Sequence, residues 1–152
     1  MIDYLEISGK SLLGIDYGEK VIGLALYKVG IEPFPMPYDR IIVSKVGDTI
    51  EELMKVINEE MIDRVILGLP FLTDGKESTM THKIRSYGEK LAERISPIPL
   101  NFQDETLSSY EAEERMKNDP RYNFRVDLQK IDALAASIII EQFLQEQVIK
   151  KD

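Results

Sequence analysis

The 152-residue sequence contains no cysteine and a single histidine, His82. The first absence excludes a disulfide framework and any thiolate metal site. The second leaves almost no imidazole for acid–base chemistry, and His82 reads as a surface residue of a helix. No apolar run approaches the ~20 residues of a membrane-spanning helix. The opening Met1-Ile2-Asp3-Tyr4-Leu5-Glu6 lacks the basic lead of a secretory signal. A cytoplasmic protein with no membrane partner is therefore expected. Bases are also the minority, 19 against 27 acids, for a net charge of −8. That balance counts against a broad nucleic-acid-binding face. A local basic rim can coexist with it, and a site built from acids and neutralised by a divalent cation is counted as negative in the bare sequence.

What is present is enough apolar material for one sizeable core, and the length suits a single domain over residues 1–152. Residues 1–10 read as a short lead-in. Residues 12–17 and 20–29 are rich in Ile, Leu and Val and flank a glycine turn, the pattern of two paired strands. Residues 30–37 carry three prolines and cannot form a central strand. A third strand is expected over 40–44. Asp48 and Glu51 have the spacing of a capping box, opening a helix to about Met61. A fourth strand follows over 63–68, then a loop over 71–76 and a helix from about Glu77 to Ile95. A fifth strand over 98–103 delivers Asp104 and Glu105. Ser108 and Glu111 suggest another capped helix, to about Lys117. A last helix is expected from about Asp127 to Ile149, with Leu128, Ile131, Ala135, Ile138 and Ile139 on its apolar stripe. The order βββαβαβαα predicts an α/β fold: a mixed five-stranded sheet with helices on both faces.

Acids fall at three special points of this scheme. Asp16 ends the first apolar strand. The pair Asp104-Glu105 follows the last strand, where alternation sends neighbouring side chains to opposite faces, so only one of the two can reach a site. Asp132 stands in the second turn of the expected last helix, with the small Ala135 and Ala136 beside it. Carboxylates in apolar surroundings need partners, and carboxylates that converge repel one another. A divalent cation resolves that repulsion; Mg²⁺ and Mn²⁺ prefer oxygen ligands. Two such ions can activate water and stabilise the leaving oxygen of a phosphodiester. The simpler alternatives are a turn-capping role for Asp16 and a helix-dipole role for Asp132. Leu69-Pro70 and the loop carrying Thr73 and Lys76 lie at the carboxyl end of a strand, where ligands of open α/β sheets gather. Lys20, Lys76, Lys83 and Arg85 could form a basic rim or plain solvated surface. Arg121-Tyr122-Asn123-Phe124-Arg125 alternates bases with aromatics, which suits backbone contact and base stacking, or an ordinary surface loop.

Four stretches, in order, give a resemblance. They are Leu13-Gly14-Ile15-Asp16-Tyr17-Gly18-Glu19-Lys20-Val21-Ile22-Gly23-Leu24-Ala25, Gly68-Leu69-Pro70 through Asp74-Gly75, Asp104-Glu105-Thr106-Leu107-Ser108, and Ile131-Asp132-Ala133-Leu134-Ala135-Ala136. Together they resemble the YqgF/RuvX family, described both as Holliday junction resolvases and as pre-16S rRNA nucleases, with an RNase H-like fold. The resemblance implies that Asp16, Glu105 and Asp132 are the catalytic, metal-binding acids, with Glu105 chosen over Asp104, and that the cofactor is Mg²⁺ or Mn²⁺, as two ions. It implies a nucleic-acid partner, precursor rRNA ahead of a DNA junction, held by Lys20, Thr73, Lys76, Arg121 and Arg125. Ribosomes or assembly factors are further expected partners, and the chain would act as a monomer or homodimer. Val21 and Thr106 depart from the family pattern, standing where basic residues are usual and removing two phosphate contacts.

Two other functions remain open at this level. The stretch Gly14-Ile15-Asp16-Tyr17-Gly18 also resembles the first phosphate loop of actin-like ATPases and sugar kinases, but those need two lobes and no second such hairpin is present. A non-catalytic nucleic-acid or ribosome-assembly module on a nuclease-like fold would tolerate the losses at Val21 and Thr106.

Overall fold

In the computed structural model, residues 1–44, 47–105 and 108–150 are described. The chain opens with β1 (Ile2–Asp3) and a one-turn helix, α1 (Tyr4–Ile7). The sheet strands that follow are β2 (Ser11–Asp16), β3 (Val21–Lys28), β4 (Met36–Ile42), β5 (Arg64–Leu69) and β6 (Leu100–Asp104). Between them lie α2 (Thr49–Glu59) and α3 (Thr79–Ile95), and after them α4 (Ser108–Lys117), a 3₁₀ turn (Pro120–Tyr122), α5 (Ile131–Glu146) and β7 (Val148–Ile149).

The main sheet has the order β4-β3-β2-β5-β6. The hairpins β2–β3 and β3–β4 are antiparallel, whereas β2–β5 and β5–β6 are parallel. The expected mixed five-stranded α/β sheet is therefore present. β2 is apolar at consecutive positions because both of its faces are covered. Leu13 and Ile15 pack with Leu53 and Ile57 of α2 and with Ile84 and Leu91 of α3. Leu12 faces the other way, into a core with Ala136, Ile139, Ile140 and Phe143 of α5. The outer side of α5 is covered in turn by Ala112 and Met116 of α4, which meet Leu134, Ala135 and Ile138. Buried between sheet and helix, α5 is apolar almost all round. Among the described residues no helix is long and apolar enough to cross a membrane.

The structure corrects several expected elements. The lead-in is ordered: β1 pairs with β7 in a second, two-stranded parallel sheet, and Ile7 is buried. β4 begins at Met36 and includes Pro37, and a register shift lies opposite Leu24 and Ala25. Proline is tolerated there because β4 is an edge strand. α5 starts at Ile131, after a hydrogen-bonded turn in which Asp127 accepts from the backbone N–H groups of Gln129, Lys130 and Ile131. Leu128 is consequently exposed rather than part of the apolar stripe. The helix ends at Glu146, and the chain continues into β7. Ser108 is the first residue of α4, and its hydroxyl donates to Glu105 Oε2.

Candidate functional site

The carboxyl ends of β2, β5 and β6 lie along one edge of the sheet, and the first turn of α5 reaches that edge. Asp16 is the last residue of β2. Alternation along the strand turns it toward the α5 side, as it does Leu12 and Gly14. Directly across the antiparallel ladder stands Gly23, and across the next ladder Arg40. Gly23 is what admits α5: a Cβ there would lie 2.0 Å from the backbone oxygen of Asp132. The helix backbone thus rests on the strand position opposite Asp16, which places Asp132 beside it. Asp132 lies in the first turn of α5, not the second as expected. A carboxylate is favoured there by the helix dipole, so this placement alone does not mark it as functional.

Glu105 follows β6 and is buried, at 7% exposure, while Asp104 faces outward. Its room comes from Gly68 of β5, where a Cβ would stand 2.8 Å from the Glu105 carboxyl carbon. Glu105 accepts a hydrogen bond of 2.9 Å from Ser108. It also shares a hydrogen bond with Asp16. Two carboxyl groups can share such a bond only when one is protonated.

The electrostatics follow from that geometry. Asp16 keeps part of its surface open but sits deep among sheet and helix atoms. Desolvation pushes its carboxyl well above the ordinary value, and the charges of Glu105 and Asp132 and its donated hydrogen bond push the same way. Glu105 is also raised, first by burial, with the bonds from Ser108 and Asp16 opposing the rise. Asp132 is raised by burial, and the charge of Arg40 pulls against it. Arg40 escaped the sequence reading; only the β3–β4 register brings it onto this face.

The structure gathers the expected acids unequally. Asp16 and Glu105 form a pair, and Asp132 approaches as a neighbouring charge. Among the described residues, no three His, Cys, Asp or Glu residues form a group that could hold a metal ion. The donors are nonetheless all carboxylate oxygens in a desolvated place. Mg²⁺ commonly takes only one or two protein carboxylates and completes its shell with water and substrate phosphate, so the Asp16–Glu105 pair suits such an ion.

The expected nucleic-acid-binding residues are dispersed. Lys20 is exposed in the turn between β2 and β3. Thr73 and Lys76 are exposed in the loop after β5, which closes through Leu72 N–H to the Lys76 carbonyl and Lys76 N–H to Asp74. Arg121 is held by Asp119 at 2.7 Å within its own turn, and Arg125 is exposed nearby. Lys83 and Arg85 are tied to Glu19 and Glu77. Thr106, the second departure from the family pattern, lies outside the described residues.

Comparison with known proteins gives a consistent result. The family model described as RuvX, Holliday junction resolvase, matches residues 10–146. A protein of Maridesulfovibrio salexigens, named as a candidate pre-16S rRNA nuclease, is 31% identical over 133 residues, covering 88% of this chain and 96% of its own. One from Oleidesulfovibrio alaskensis with the same name is 37% identical over 134 residues, covering 87% and 90%. Among solved structures, Thermus thermophilus RuvC in complex with a Holliday junction substrate matches with a TM-score of 0.58 at 14% identity, covering 91% of this chain and 96% of that one. The yeast mitochondrial Holliday junction resolvase Ydc2 matches at 0.53 and 12% identity, covering 91% and 79%. These structures share the RNase H-like fold with this chain.

Proposed function

Because the chain belongs to the RuvX family, we propose that it is a divalent-metal-dependent nuclease that hydrolyses phosphodiester bonds in precursor 16S rRNA. The observation that carries the reading is the Asp16–Glu105 pair: two desolvated carboxyls in hydrogen-bonding contact at the carboxyl edge of the sheet, with Asp132 alongside. Such a pair is costly as two negative charges. It favours positive charge in its midst, which a proton or a divalent cation supplies. The names of the similar proteins from Maridesulfovibrio salexigens and Oleidesulfovibrio alaskensis favour precursor rRNA as substrate.

Asp16 and Glu105 would hold the metal, with Asp132 as the third acid. Bound there as two ions, it would supply Lewis acidity toward phosphate oxygens and a lowered pKa for bound water. Ser108 fixes the Glu105 carboxylate and opposes its protonation. Gly68 and Gly23 keep the space that lets Glu105 and α5 approach Asp16. Lys20, Thr73, Lys76, Arg121 and Arg125 are the proposed contacts to the substrate backbone; Arg121 would have to exchange Asp119 for phosphate. The reading places the protein in the cytoplasm.

A second reading, cleavage of four-way DNA junctions, is favoured by the family description and by the likeness to RuvC. The two are separated by incubating the protein with precursor 16S rRNA and with a four-way DNA junction, in Mg²⁺ or Mn²⁺. The expected result is cleavage of the RNA that is lost in Asp16→Asn. Cleavage that survives Asp16→Asn overturns the role of Asp16. Binding of RNA with no metal-dependent cleavage of either substrate overturns the enzyme in favour of a binding module.

A further inference from the structure

A cleft of about 360 Å³ opens between the edge strand β4 and the start of α5, lined by Arg40, Asp39, Tyr122, Gln129, Lys130 and Ala133 among others. Its position is fixed by the ladder that fixes Asp16. Arg40 pairs across β3 at Gly23, Gly23 pairs across β2 at Asp16, and the Asp132 backbone rests on Gly23. The cleft therefore adjoins the acids on the side away from β5 and β6. It carries two cations, Arg40 and Lys130, and neither forms an ion pair with any described residue. Its carboxylate, Asp39, accepts from the Arg40 backbone N–H. The hollow on the far side of Pro37 and Tyr122 is different: its Arg115 and Arg121 are already held by Glu111, Glu141 and Asp119.

We propose that this cleft is the subsite for the phosphodiester backbone flanking the scissile bond, with Arg40 and Lys130 as its phosphate-binding residues. The proposal rests on the nuclease reading of the acids and adds to it where the substrate strand runs. A protein of net charge −8 needs cations placed locally, because its overall field repels a polyanion. Arg40 is suited to this by its place. It is half-buried, and it stands on the row that ends in Asp16. Lys130 immediately precedes α5 and is exposed, and its ammonium forms no ion pair with a described residue. Phosphates held by these two groups would continue along the edge of the sheet toward the acids. Tyr122 gives the cleft an aromatic wall.

The test measures equilibrium binding of fluorescein-labelled precursor 16S rRNA and of a labelled four-way DNA junction across a salt series. It is made in the Asp16→Asn background so that no probe is cut. Arg40→Gln and Lys130→Ala, separately and together, are compared with that parent; Lys130→Glu is a further variant at an exposed position that does not threaten folding. The double variant is expected to bind about tenfold more weakly at low salt, with the slope of log affinity against log salt flattened by roughly one to two. Lys130→Glu is expected to weaken binding more than Lys130→Ala. Unchanged affinity and salt slope in the double variant and in Lys130→Glu overturn the cleft, and so does a parent that binds neither probe. The nuclease reading is judged separately, by cleavage in the otherwise wild-type chain. Loss of cleavage in Asp16→Asn with unaltered binding in the cleft variants sinks the cleft alone. Cleavage that survives Asp16→Asn, with weakened binding in the cleft variants, sinks the acid assignment alone.

Discussion

Replacing Gly23 by alanine asks whether the sheet really sets the position of Asp132. The added Cβ would lie 2.0 Å from the Asp132 carbonyl oxygen, 2.2 Å from its carbonyl carbon and 2.9 Å from Ala133 N. All three are backbone atoms of α5, so no side chain can rotate to relieve the overlap. Ordinary contact begins near 3.4 Å, and the first turn of the helix must lift by on the order of 1 Å to reach it. Overpacking of this kind costs about 1–3 kcal/mol. In a domain of this size each kcal/mol lowers Tm by about 2–4 °C, giving a fall of roughly 2–12 °C. A displacement of ~1 Å in a reacting group can cost about 100-fold in rate. The assay is cleavage per folded molecule at a temperature well below both melting transitions. Gly88→Ala serves as control, since its Cβ would meet the Phe102 ring of β6, away from the acids. It should leave turnover within about twofold whatever it does to Tm. A Gly23→Ala protein that melts early but turns over normally would refute the claim that Gly23 positions the site. One that also melts normally would refute the packing.

Three further outcomes are expected. Gly68→Ala should push the Glu105 carboxyl off its place, because the new Cβ would stand 2.8 Å from its Cδ and 3.0 Å from Oε1; titration with Mn²⁺ should show affinity roughly tenfold weaker or worse. Ser108→Ala removes a hydrogen bond that holds the Glu105 carboxyl down, so the acidic limb of the pH–rate profile should move to higher pH, and an unmoved limb would deny Ser108 this role. Asp16→Asn should raise Tm at neutral pH without divalent cations. The Asp16 carboxyl is raised in the folded chain above its ordinary value, so the folded state holds its proton more tightly than the unfolded one. The resulting penalty is absent below the ordinary carboxylate range and grows as pH climbs toward the raised value. The Tm advantage of Asp16→Asn should therefore shrink as pH falls, and a constant advantage across pH would contradict the electrostatic cause.

The parts of this fold legible in the sequence are those fixed by local pattern. The β2–β3 hairpin follows from two apolar runs and a short turn, and β5 and β6 from compact apolar segments between helices. Asp16 was conspicuous because it closes one such run. What escaped depends on pairings between distant residues. Arg40 joins the site only through the β3–β4 register, which a shift between Leu24 and Ala25 alters. The space for Glu105 depends on Gly68, and hence on the parallel pairing of β5 with β6. Asp127 and Leu128 fit a helical period, so the pattern carries α5 past its true start at Ile131. The Asp127 side chain accepts from Gln129 N–H and its carbonyl from Lys130 and Ile131 N–H, so residues 128–130 form a hydrogen-bonded turn ahead of the helix, with Leu128 exposed. The β1–β7 pairing joins the two ends of the chain, and neither two-residue segment carries a pattern of its own.

The placement of the acids owes as much to missing side chains as to the acids. Gly14, Gly23 and Gly68 all lie inside strands, where glycine costs roughly 0.5–1 kcal/mol relative to alanine. All three lie on the face that α5 covers. At Gly14 a Cβ would meet Ile140 at 2.6 Å and the Ala136 backbone oxygen at 2.7 Å; at Gly68 it would meet Ile139 at 2.5 Å. The helix thus lies close along the sheet from Asp132 to Ile140, and Ala136 keeps its own surface low there. An approach this close expels water and strengthens every electrostatic interaction in the gap, which is why burial is the first cause of the raised Asp16, Glu105 and Asp132 carboxyls. Packing alone would be served better by side chains at those strand positions and by apolar residues in place of the acids. That the strands forgo the first and keep the second is the physical reason to assign a function to this edge of the sheet.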